Sequence, residues 1–107
     1  MLPGMNMGKM MKQAQEMQKQ MAKIQDDLKD RVVEASAGGG MVVVHFNGRQ
    51  ELMSLKIDPE VLKSGDAEML QDLITAAINE GIKKSQDLAK EEMGKVMGGL
   101  GLPPGLF

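Results

Sequence analysis

A single histidine, His45, and the absence of cysteine limit the chemistry open to this chain of 107 residues. Without a thiol there is no disulfide framework, no Cys-ligated zinc and no thiolate nucleophile, and one imidazole assembles no convincing Ser-His-Asp constellation. His45 sits in the most strand-like stretch and reads as a strand-surface residue. Met5, Met7, Met10 and Met11 are soft thioether ligands of the kind that select Cu(I), yet Met7 and Met10 belong to a helical seam, which is the plainer reading. Gly38, Gly39 and Gly40 lack the G-x-x-x-x-G-K-[ST] order that cradles phosphates and read as a strand connection. The acid pairs Asp26-Asp27 and Glu91-Glu92 lie beside Lys29, Lys90 and Lys95 and read as solvated helix charge. The residues therefore point away from an enzyme, with no catalytic set, no metal site and no cofactor expected.

What remains is charge segregated along the chain. Residues 9–23 hold Lys9, Lys12, Lys19 and Lys23 against Glu16, four minus one or +3, and residues 83–95 hold four Lys against Asp87, Glu91 and Glu92, or +1. Residues 58–80 hold six acids against Lys63, or −5. The total, 13 Lys plus Arg against 15 Asp plus Glu, is −2, with an isoelectric point near 5.4. Because the Debye length is about 8 Å at physiological salt, a polyanion touching the lysines is screened from acids further away, so an acidic isoelectric point does not forbid DNA binding.

These lysines need a scaffold, and the periodicity supplies one. Met7, Met10, Ala14, Met17, Met21, Ile24 and Leu28 recur at intervals of 3, 4, 3, 4, 3 and 4, a coiled-coil seam that predicts a helix over residues 8–30. The four lysines take heptad positions turned away from that seam. From Val32 to Ile57 the period falls to two and β-branched residues accumulate, which predicts three antiparallel strands over 32–37, 41–46 and 51–57. Asn47-Gly48 is expected to supply the positive φ angles of a tight hairpin, with Met53, Leu55 and Ile57 joining Val42, Val44 and Phe46 on the core face. Asp58-Pro59 reads as N-cap and first residue of a short helical turn closed near Gly65. A long helix over 66–97 carries the stripe Leu70, Leu73, Ile74, Ala77, Ile78 and Ile82, then a narrower one through Ser85, Leu88, Ala89, Met93 and Val96, and its second half is expected to project. Residues 1–97 make one α+β domain, and the Gly- and Pro-rich residues 98–107 are expected to form a flexible tail.

The core is thin for a monomer: apolar residues are 42% of the chain, but they include twelve Met, two Phe and neither Trp nor Tyr. Dimerisation would supply the missing burial. No stretch approaches the roughly 20 apolar residues of a membrane span, so a cytoplasmic protein without a membrane partner is expected.

MMKQAQEMQKQMAKIQ at 10–25, GGGMVVVHFNG at 38–48, KIDPEVL at 56–62, EMLQDLITAAINEGIKKSQDLAKEEM at 68–93 and LPPG at 102–105 stand in an order that resembles the YbaB/EbfC family of bacterial nucleoid-associated proteins. The resemblance implies an α-β-β-β-α subunit with a three-stranded antiparallel sheet and two long helices. It also implies a homodimer that projects those helices as paired arms contacting double-stranded DNA in the nucleoid, with a structural and regulatory role and no small-molecule substrate. Carried over by position, the DNA-binding residues are Lys9, Lys12, Lys19 and Lys23 in the first helix and Lys83, Lys84 and Lys90 in the last, with Gln13 and Gln20 as further phosphate contacts. Val43, Ser54 and Leu55 stand where relatives often carry more basic residues, a departure that takes support away from a sheet contact. A different class of function, a prefoldin-like chaperone or interaction scaffold, would use the Met-rich helix to hold unfolded clients.

Overall fold

Each change in hydrophobic period becomes a boundary between elements. In the computed structural model, which describes residues 7–99, the chain runs α1 (Met7–Lys29), β1 (Val32–Ala37), β2 (Val42–Asn47), β3 (Leu52–Ile57), α2 (Pro59–Lys63) and α3 (Ala67–Gly99). The fold is α-β-β-β-α, with one sheet in the order β1-β2-β3 and antiparallel pairing throughout. The short α2 is capped as its sequence indicates: the Asp58 carboxylate accepts the Glu60 N–H at 2.9 Å, and Pro59 opens the helix. Asp66 does the same for α3, accepting the Met69 N–H at 2.9 Å.

One sheet face packs on the first half of α3. Ala35, Val42, Val44, Phe46 and Ala77 are buried together, and Leu55, Ile57, Leu73, Ile74 and Ile78 pack around them. The helix comes so close at Gly81 that any β-carbon there would overlap the Phe46 ring. A second cluster joins the two long helices: Ile24 and Leu28 of α1 bury against Leu88 of α3, with Ala89, Met93 and Val96 beside them. Leu28 lies near the sheet while Ile24 lies toward Val96, so α1 and α3 run antiparallel away from the sheet and stretch the molecule to 73 × 23 × 18 Å.

The β2–β3 hairpin departs from its expected form in two ways. His45 pairs with Ser54 but Phe46 pairs with Leu52, a bulge that leaves Met53 as the extra residue; it is exposed and does not join the core face. Nor does Asn47-Gly48 carry the positive φ, which falls on Gln50 at 64°. Asn47 instead folds its side chain into the turn, its Oδ1 accepting the N–H groups of Arg49 at 3.0 Å and Glu51 at 3.1 Å. Gly48 is required for space: a β-carbon there would stand 2.9 Å from the Leu28 carbonyl oxygen. Its N–H donates to the carbonyls of Leu28 at 2.8 Å and Arg31 at 2.9 Å, which pins the end of α1 to the hairpin.

Helix α3 continues through Gly98 to Gly99, so the first two residues of the expected 98–107 tail are helical; the remainder lies outside the described residues.

Candidate nucleic-acid interface

Helix α1 is an amphipathic rod of 23 residues, roughly 35 Å long. Every residue from Met7 to Lys23 is exposed. At about 100° per residue, Lys9, Lys12, Lys19 and Lys23 fall within roughly 80° of one another, on the side away from Ile24 and Leu28. They form a basic stripe interrupted by Glu16, which lies on the same side, four residues after Lys12 and three before Lys19. Lys23, at its inner end, also borders a groove of about 400 Å³ between α1 and α3, where Asp27 and Glu92 share the lining. Lys9, Lys12 and Lys19 lie outside that groove, further along α1. Around the helix from the lysines, Met7, Met10, Met17 and Met21 of the seam are exposed, Met7 to 74%, so within one protomer only Ile24 and Leu28 of the heptad pattern are buried.

The lysines of α3 divide into two kinds. Ala77, Gly81, Ser85 and Leu88 mark the packed face, and Lys83 and Lys90 point about 180° from it into solvent. Lys84 borders the packed face, and its ammonium donates at 2.9 Å to the Glu34 carbonyl of β1, tying α3 to the sheet. Lys95 is held by acids, 3.3 Å from Glu92 and 3.9 Å from Glu91. Glu92 in turn accepts from Arg31 at 3.0 Å. The Lys95 ammonium, with the Arg31 guanidinium, holds the Glu92 carboxyl below its ordinary pKa. The candidate lysines do not converge in one protomer. The α1 stripe and the Lys83–Lys90 pair lie on the outer sides of two helices whose inner sides meet.

Sequence reasoning missed a cross-strand cluster. His45 Nδ1 lies 3.0 Å from Ser54 Oγ, and its Nε2 lies 3.6 Å from Glu34 Oε2, three residues on three adjacent strands. The strand register brings them together, and single-strand spacing carries no trace of it. The Glu34–His45 separation exceeds hydrogen-bonding range and the Glu34 carboxylate is open to solvent, so the set acts as a polar strand-to-strand pairing. Among the described residues no group of three His, Cys, Asp or Glu is placed to hold a metal ion, and no helix is long and apolar enough to cross a membrane.

The sequence profile of the YbaB/EbfC DNA-binding family matches residues 3–100. The chain belongs to that family. A nucleoid-associated protein of Syntrophobacter fumaroxidans is 54% identical over 101 residues, covering 91% of this chain and 92% of the relative. One from Pelotomaculum thermopropionicum is 54% identical over 104 residues, covering 97% and 98%. Among solved structures, an uncharacterized protein from Helicobacter pylori matches with a TM-score of 0.79 at 30% identity, over 87% of this chain and 98% of that one. As a YbaB/EbfC protein, the chain is a nucleoid-associated DNA-binding protein, and its helical arms are consistent with that class. The acidic segment of this YbaB/EbfC chain, residues 58–80, lies at the other end of the long axis from the α1 stripe. Asp72 and Lys90 alone are 18 positions apart on one helix, roughly 27 Å or about three Debye lengths.

Proposed function

We propose that this protein binds double-stranded DNA as a homodimer, gripping it through the basic outer faces of its helical arms with low sequence specificity. The observation that carries the reading is the two-sidedness of α1: a lysine stripe on one side and an exposed methionine seam, Met7 to Met21, on the other. An unpartnered apolar seam on a thin-cored chain is suited to a second copy, and pairing two such arms leaves the lysines outermost. A second copy also answers the divergence of the α1 and α3 lysines, because two copies can bring an α1 stripe and a Lys83–Lys90 pair to one duplex. Lysine contacts to phosphate release counterions and ignore base identity, so affinity is spread over many sequences. Such binding coats chromosomal DNA in the cytoplasm, organising the nucleoid and altering expression of the genes it covers. Family membership favours DNA over unfolded clients as the partner.

Binding of unrelated duplexes across a salt series, with the mass of the particle measured in the same buffers, tests this. For about five phosphate contacts per dimer, log affinity should fall with log salt at a slope near −4 to −5. A slope near zero, or a monomer at binding concentrations, refutes it.

A further inference from the structure

Asn47 and Gly48 are adjacent in sequence, and an asparagine followed by glycine is the pairing most open to intramolecular loss of the side-chain amide, because no β-carbon shields the attacking nitrogen. Here that nitrogen is occupied. The Gly48 N–H is held by two carbonyls, that of Leu28 in the last turn of α1 at 2.8 Å and that of Arg31, between α1 and β1, at 2.9 Å. Asn47 is itself 2% exposed, and its Nδ2 donates to Glu51 Oε1 at 2.8 Å. Its Oδ1 receives two main-chain N–H groups, from Arg49 and Glu51, which polarise the side-chain carbonyl as the donors of an oxyanion hole do. The turn presents the electrophile, and docked α1 withholds the nucleophile.

We propose that Asn47-Gly48 is a deamidation site gated by α1: silent while the helix is docked, and reactive when its end leaves the hairpin. Once released, the Gly48 nitrogen loses its proton and bonds to Cγ of Asn47; the Cγ–Nδ2 bond breaks and ammonia departs with that proton, leaving a cyclic imide. Water then opens the ring at either carbonyl, giving aspartate or isoaspartate, with no oxidation or reduction. The change is self-locking. An aspartate at position 47 places a carboxylate oxygen where Nδ2 donated to Glu51, so a buried carboxylate faces a second acid at the hairpin's edge and the hairpin no longer receives α1. The conversion rate follows the population of the locally open state, making position 47 a cumulative record of arm undocking.

The full chain is incubated at neutral pH beside a synthetic peptide of residues 32–49, and conversion at Asn47 is followed by mass spectrometry with separation of isoaspartate; Asn79, followed by Glu80, is the internal reference. Conversion should be about tenfold or more slower in the intact protein than in the peptide. Leu28→Ala, which empties the contact over Gly48, should restore most of the peptide rate while leaving Asn79 unchanged. Should that variant unfold, Leu28→Val carries the same comparison. Equal rates in intact protein and peptide overturn the proposal. So does a variant whose α1 is shown to be released by hydrogen exchange while position 47 stays as slow as in the parent. Asn47→Asp should speed exchange at Gly48 and along the end of α1; unchanged protection there overturns the self-locking step.

Discussion

The Ser85 hydroxyl, fully buried on α3, donates at 2.7 Å to the main-chain carbonyl of Asn47. The same oxygen accepts the Gln50 N–H at 3.0 Å, and that N–H also donates to the Asn47 carbonyl at 3.2 Å, so one hydroxyl braces a hairpin turn where sheet, α1 and α3 meet. Ser85→Ala leaves the two groups only their mutual 3.2 Å bond and should cost about 1 kcal/mol, read as a lower denaturation midpoint with unchanged slope. An unchanged midpoint would mean that the junction is held by packing alone.

Gly81 offers a test of sign. Helix propensity favours Gly81→Ala by about 1 kcal/mol, but the new methyl group would overlap the Phe46 ring and crowd Val44. Overpacking of a close contact costs about 1–3 kcal/mol, and this overlap is severe enough to reach the upper end, so the variant should be less stable than the parent. A more stable variant would place α3 further from the sheet.

The lysines should separate by function. Lys12→Glu with Lys19→Glu should weaken binding to every duplex alike and flatten the salt slope by about 2 or more, with thermal stability lowered by no more than about 1 kcal/mol through the new like-charge spacing with Glu16, since all three side chains stand in solvent on α1. Lys90→Gln should flatten the slope by about 0.9. Lys84→Gln should instead act on the fold, because its ammonium serves the Glu34 carbonyl; a salt-slope change as large as that of Lys90→Gln would show that it leaves the sheet to reach phosphate.

Acid should loosen the arms at their root. The carboxyl of Glu92 is held below its ordinary 4.5 by Lys95 first and Arg31 second. A depressed folded value means the stabilisation is fully present above 4.5 and is lost as pH falls below it through the folded value. Glu92 is half-buried but its partners Lys95 and Arg31 stand largely in solvent, so the effect should be small and should shrink in salt. Arg31→Gln should reduce the loss of stability between neutral pH and the acid range, measured by thermal unfolding; an acid profile identical to the parent's would remove the pair from any role at the junction.

The order of elements was legible because each is written in local terms. The 3–4 intervals from Met7 to Leu28, the alternation through Val42, Val44 and Phe46, the cap at Asp58 and the helix start at Asp66 all act within a few residues. Features that depend on distant partners were not. The bulge that turns Met53 outward, the close approach that makes Gly48 a matter of space, and the His45–Ser54–Glu34 cluster arise only when strands and helices meet. Ser85 did leave a trace, a hydroxyl in an otherwise apolar stripe. Lys83 and Lys84 left none, since adjacent lysines are chemically alike until α3 turns one toward the sheet and the other away.

The 73 Å axis separates an acidic head, α2 with the start of α3, from basic arms, and that separation makes the subunit an electric rod. In the field of a polyanion such a rod feels a torque before it feels a contact: the head is pushed back and the arms swing forward. Encounters that begin in the wrong orientation are corrected during approach, so a particle of net negative charge can still arrive at a negatively charged polymer arms first.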